Sequence, residues 1–125
     1  MIEFCPVSRA SIHDGDILVL AESYFDSAVL NDTDWILAPY LSKPFTGDDT
    51  FDSTRDSDIA AYTTSIHSSG MALALLKAIV DFSNDNKHVI IGCYTSNVQT
   101  SHLSCLYDIM EDLFVDKDPD MQIGG

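Results

Sequence analysis

Basic side chains are scarce in this chain: six Lys and Arg stand against twenty Asp and Glu in 125 residues, for a formal charge of -14 at neutral pH. That shortage argues against a nucleic-acid or anionic-membrane surface, both of which need clustered cations. It fits a strongly solvated acidic protein, one that binds basic partners, or one that works in a salty or crowded compartment. Cysteine is also sparse. Cys5, Cys93 and Cys105 are odd in number and form no C-x-x-C pair, so neither a disulfide framework nor a zinc site is expected and buried reduced thiols are. Nowhere do about 18 apolar residues run together, and no charged n-region precedes an apolar stretch, so neither a transmembrane span nor a signal peptide is expected.

What remains is ordinary globular material, 46% hydrophobic, in a chain of one-domain length that can bury about two thirds of its unfolded surface. The expected organisation is a single domain over 1–125. Residues 2–7, IEFCPV, read as a strand. Asp14 or Asp16 then offers an N-cap to a helix through DILVLAESYFDSAVL, where Ile17, Leu20, Ala21, Tyr24 and Ala28 recur at three- and four-residue spacings. WILAPYL, 35–41, is apolar but broken by Pro39 and reads as a short strand or a helical turn. Residues 43–58 form an acidic surface loop, with five aspartates between Asp48 and Asp58. Neither this segment nor DKDPD near the C-terminus has the glycine and glutamate that complete an EF-hand cage, so no calcium site is expected.

DIAAYTTSIH, 58–67, has the Ile, Tyr and Thr of a strand, and KHVIIGCYT, 87–95, has the strongest buried-strand signal in the chain. Between them HSSGMALALLKAI, 67–79, opens on a serine-glycine turn and continues almost wholly apolar, as a helix covered on most sides does. Strand, buried helix, strand is a βαβ crossover. VQTSHLSCLYDIMEDLF, 98–114, adds a helix with Leu103, Leu106, Tyr107, Met110 and Leu113 on one face. The expected class is α/β, a small mixed sheet with a βαβ unit and helices on its faces.

This order of elements resembles the GNAT superfamily of N-acetyltransferases. There a Q/R-x-x-G-x-G/A turn links a strand to a helix whose N-terminal amides hold the pyrophosphate of acetyl-CoA; here His67, Ser68, Ser69, Gly70, Met71 and Ala72 occupy that junction. Glycine lets backbone approach a phosphate, and the helix N-terminus adds partial positive charge. The resemblance extends to Asn97, beyond the strand, and to Tyr107 in the following helix, where the family's tyrosine protonates the departing thiolate. It implies 67–72 and Asn97 as cofactor-binding residues and Tyr107 as general acid. Two departures accompany it. His67 stands where the family has arginine or glutamine, and 35–58 has room for little of the three-strand meander that supplies the substrate groove. The string Asn97, Thr100, Ser101, His102, Leu103, Leu106 is similar to the N-x-S-H-[IL]-x-x-L segment of small GNAT-like proteins of short-tailed phages, some of them internal virion components.

Of the four histidines, His13, His67, His88 and His102, none has the i, i+4 partner of a helical metal pair. His102 is either a general base near Tyr107 or a satisfied helix residue. Cys93, in an apolar strand, is expected to be inert. Two functions follow. The preferred one is a shortened, non-catalytic GNAT-like acidic protein without a cofactor. It would act by protein–protein interaction as a phage virion or accessory component, in the host cytoplasm or the particle, on a partner with a basic surface or on other virion proteins. The alternative is an acetyl-CoA-dependent N-acetyltransferase.

Overall fold

The computed structural model describes residues 1–30, 34–43 and 51–124. Along the chain come β1 (Ile2–Pro6), β2 (Ile17–Leu20), α1 (Ser27–Leu30), β3 (Ile36–Leu37), α2 (Asp56–His67), α3 (Gly70–Asn84), β4 (Val89–Cys93), α4 (His102–Leu113) and β5 (Met121–Ile123). Single 3-10 turns occupy Val7–Arg9, Pro39–Leu41 and Val98–Thr100. The strands form one five-stranded sheet in the order β3-β2-β4-β1-β5, every pair parallel.

A parallel sheet is stable when both faces are covered, and the strand residues divide accordingly. Ile2, Phe4, Val19, Ala21, Val89, Ile91 and Cys93 point to a face packed by α2, α3 and α4. Cys5, Leu18, Leu20 and Ile90 point to the other, which Val7, Leu30 and Trp35 close with a thinner layer. Connections toward β3 run over the second face and those toward β5 over the first, as crossovers of one hand require. β4 lies at the centre and is buried along its length. Its Gly92 faces the thin layer, where an added Cβ would sit 2.8 Å from Trp35 Cζ3 and 3.0 Å from Val7 Cγ2. The missing side chain is what lets the indole lie against the central strand.

The helices follow their sequence signals. Ser69 caps α3 by accepting from Ala72 N at 3.1 Å, and Ala72, Leu76, Ile79, Val80 and Ser83 form its buried stripe. Ser101 caps α4 by accepting from Leu103 N at 3.1 Å. At the amino edge of the sheet, His88 stands between two carboxylates, Glu3 and Asp16, each 3.1 Å from one ring nitrogen, and so ties the starts of β1, β2 and β4.

Several expectations are corrected. The helix expected over 16–30 is strand β2 followed by a loop and the four-residue α1. Asp16 caps no helix: its carboxylate accepts from His13 N at 2.8 Å across a turn in which Gly15 takes φ +88°. The strand expected over 58–67 is α2, whose Ile59, Tyr62 and Ile66 lie on one helical face packed into the core, so the βαβ unit drawn over 58–95 is a helix pair followed by β4. The sheet is parallel throughout instead of mixed. The acidic loop drawn over 43–58 is interrupted, because Phe51 and Asp58 are buried and 56–58 form the first turn of α2. Asp48 and Asp49 lie outside the described residues. β5, unanticipated, adds to the free edge of β1.

Candidate functional site

In a doubly wound parallel sheet, the place where neighbouring strands send their connections to opposite faces leaves a crevice at the carboxyl edge. Here that place lies beside β4: β2 continues over the thin face and β4 over the helical face. The two loops leaving these strands are pinned together. Ala21 N donates to Gly92 O at 2.9 Å, and Ala21 O accepts from His102 Nε2 at 2.6 Å. Tyr94 N donates to Glu22 Oε2 at 3.0 Å. The Tyr94 hydroxyl donates to Tyr24 O and accepts from Asp26 N, both at 2.7 Å.

Burial sets the protonation of this pin. His102, 1% exposed, is pushed down to about 4 by desolvation, against the opposing bond to Ala21 O and with Lys43 acting in the same direction as burial. A carbonyl acceptor requires the hydrogen on Nε2, so His102 is a neutral imidazole in the Nε2–H tautomer. Glu22, 4% exposed, is pushed up by burial and held back by its bond from Tyr94 N and by the charge of Lys43.

The same burial makes the reactive groups inert. Cys93 is pushed up to about 11 and Cys5 to about 12, chiefly by desolvation. Both are therefore thiols and not the thiolates that nucleophilic attack needs. Tyr62, fully buried, donates its hydroxyl to Leu41 O at 2.7 Å. His102 spends its Nε2 hydrogen on a backbone carbonyl, and among the described residues no hydrogen bond joins its ring to Tyr107. Among the described residues no group of three or more His, Cys, Asp and Glu could hold a metal ion, and no helix is long and apolar enough to cross a membrane.

The pinned loop turns aromatic side chains outward. Tyr24 is 57% exposed and Phe25 55%, with the Tyr24 and Tyr94 rings 5.1 Å apart. The chain that follows adds exposed Val29 on α1, Ile36 on the edge strand β3 and Tyr40. The same stretch of chain carries exposed Asp34 and half-buried Asp26. On the other side of the crevice is a cleft of about 320 Å³ between the 51–55 and 95–101 segments, which a bond from Ser53 Oγ to Gln99 O at 2.7 Å ties together.

Of the residues singled out in the sequence, Asn97 lies at this edge in the 95–101 segment, whereas 67–72 and Tyr107 lie elsewhere and apart from each other. Residues 67–72 join helix to helix: Ser68 Oγ bonds back to Thr64 O at 2.7 Å, Ser69 is the cap of α3, Gly70 has open space about it, Met71 is exposed and Ala72 buried. His67 lines a shallow cleft with Cys105, Asp108 and Asp112 of α4. Tyr107 packs edge-on against Phe4 at 5.4 Å and lines a different cleft with Glu111, Asp118 and Met121. Asn97 Oδ1 accepts from Gln99 N at 3.0 Å and starts the turn leading to α4. Sequence reasoning missed Glu22, Tyr24, Phe25, Lys43 and Tyr94. The available signal was an ionisable residue and two aromatics directly after an apolar ILVL run. Comparison with protein-family models, curated proteins and solved structures finds no match to this chain.

Proposed function

We propose that the chain is a non-catalytic α/β protein that acts by binding a protein partner through the aromatic rim of Tyr24, Phe25 and their exposed neighbours at the β3 edge. The observation that carries this reading is the pinned loop. Its backbone is held by Tyr94 and Glu22 while its largest side chains face solvent. Exposed aromatics on an ordered loop lose little conformational freedom on docking and have the composition of interface anchors. Single exposed apolar residues are unremarkable, but the stretch 24–40 contributes five, Tyr24, Phe25, Val29, Ile36 and Tyr40. The -14 charge selects a partner with a basic surface, steered from a distance and seated by the apolar rim. The resemblance of 97–106 to short-tailed phage proteins makes another virion component the partner we favour. Descent from a shortened GNAT fold is part of the same proposal and rests on that sequence resemblance alone.

The test is quantitative affinity capture with the wild type and with a Tyr24→Ser/Phe25→Ser double variant, across a salt series. The expected result is a partner whose recovery falls as salt rises and is lost in the double variant, whose circular dichroism matches the wild type. Calorimetry with acetyl-CoA separates the alternative: saturable binding at micromolar strength, abolished by Gly70→Glu, would replace this proposal with the acetyltransferase.

A further inference from the structure

Six basic residues serve this whole chain, and two of them, Lys43 and Arg55, line the same cleft at the carboxyl edge, beside Thr95, Thr100, Ser101 and His102. In a protein of this charge, two cations in one concavity are a local reversal of sign. Among the described residues one acid, Asp52, also lines the cleft, so its lining carries two positive charges against one negative. Asp52 Oδ1 accepts from both Thr54 N at 2.9 Å and Thr54 Oγ1 at 2.7 Å. Asp58, buried, accepts from Asp52 N at 2.9 Å and pairs with Arg55 Nη1 at 3.3 Å. One guanidinium nitrogen thus meets Asp58 and fixes the Arg55 side chain, leaving its remaining donors for the cleft. Among the described residues no carboxylate lies within ion-pair distance of Lys43. Arg55 and Ser101 are also the N-cap residues of two twelve-residue helices, α2 and α4, so the positive ends of both add to the same field.

We infer that this cleft is a binding site for the oxyanion group, phosphate or carboxylate, of a small metabolite. Lys43 and Arg55 supply the charge and the Thr95 hydroxyl a neutral hydrogen bond, while the Thr100 hydroxyl is donated to Asn97 O at 3.2 Å. The buried neutral His102, with Phe51 at 6.2 Å from its ring, closes the floor. A cleft of about 320 Å³ is at the small end of ligand sites, which limits the ligand to a compact molecule. The inference is independent of the protein partner, since the cleft and the aromatic rim share no residue.

The experiment is an amide NMR titration at fixed ionic strength, with inorganic phosphate in one arm, acetate in a second and chloride as the reference. Saturable shifts in 95–103 and 55–58 are expected with phosphate, acetate or both, and the responding arm identifies the group. Lys43→Gln should weaken that binding at least tenfold, while Lys77→Gln, on the exposed side of α3, leaves it unchanged. No saturation with either anion would overturn the inference. So would shifts spread equally around Lys77, Lys87 and Lys117, or a Lys43→Gln variant that binds as the wild type does.

Discussion

Acidification should loosen the carboxyl edge through His102, and the size of the effect follows from its burial. In the unfolded chain the imidazole takes a proton near 6.5; in the folded protein it resists protonation down to about 4. The unfolded state therefore binds more protons in that window, so stability falls as pH drops through it and gains nothing further from this residue above pH 6.5. A difference of about 2.5 units at about 1.4 kcal/mol each corresponds to about 3 kcal/mol lost between pH 7 and pH 4. That is a large share of the roughly 5–15 kcal/mol that holds a domain of this size. Glu22 opposes it: its raised carboxyl makes the folded state the better proton binder just above the ordinary glutamate range, so its own contribution falls as pH rises there. The difference between wild type and His102→Gln separates the two, because a glutamine amide still donates to Ala21 O but does not titrate. Urea denaturation at a series of pH values should show the wild type losing about 3 kcal/mol more than the variant over this range. Parallel curves, or an NMR titration placing His102 near 6.5, would refute the argument.

The remaining predictions concern packing and reactivity. Gly92→Ala should cost about 1–3 kcal/mol, the usual range for overpacking, and shift the emission of Trp35, since the added methyl meets the indole at 2.8 Å. Leu76→Ala should cost about 2–5 kcal/mol and Lys77→Ala less than about 0.5, because Leu76 is fully buried and Lys77 exposed; equal small losses in denaturation midpoint would show that α3 is not covered as described. Thiol labelling at pH 8 should proceed only at the rate of opening, since Cys5 and Cys93 are buried and pushed up to about 12 and 11. Rapid stoichiometric labelling of the native protein at either position would contradict this.

Much of the frame was readable where burial is continuous. β4 and α3 are long apolar runs with clear breaks, and α4 carries a regular stripe. The errors came where one pattern supports two structures. Ile17–Leu20 is apolar at every position because both faces of a parallel strand are buried, and a continuous run can also satisfy helical spacing when a helix is sought. In α2, the β-forming Ile, Tyr and Thr lie on a helix because Ile59, Tyr62 and Ile66 must share one face against the core, and tertiary packing outweighs intrinsic preference. β5 is three partly exposed residues in an acidic stretch, recruited by the edge of β1 and without a pattern of its own. The pinned loops were beyond local reading for a simpler reason: Tyr94 meets Tyr24, Glu22 and Asp26 from about seventy residues away in sequence.

Hydrogen–deuterium exchange of the protein alone and saturated with the partner recovered by affinity capture tests the central claim most directly. Protection on binding should fall on 21–30 and 35–41, the aromatic rim and the β3 edge, and leave 67–72 and the segment around Tyr107 unchanged. Protection confined to 67–84 or to the Tyr107 cleft, with 21–30 exchanging as in the free protein, would contradict the account.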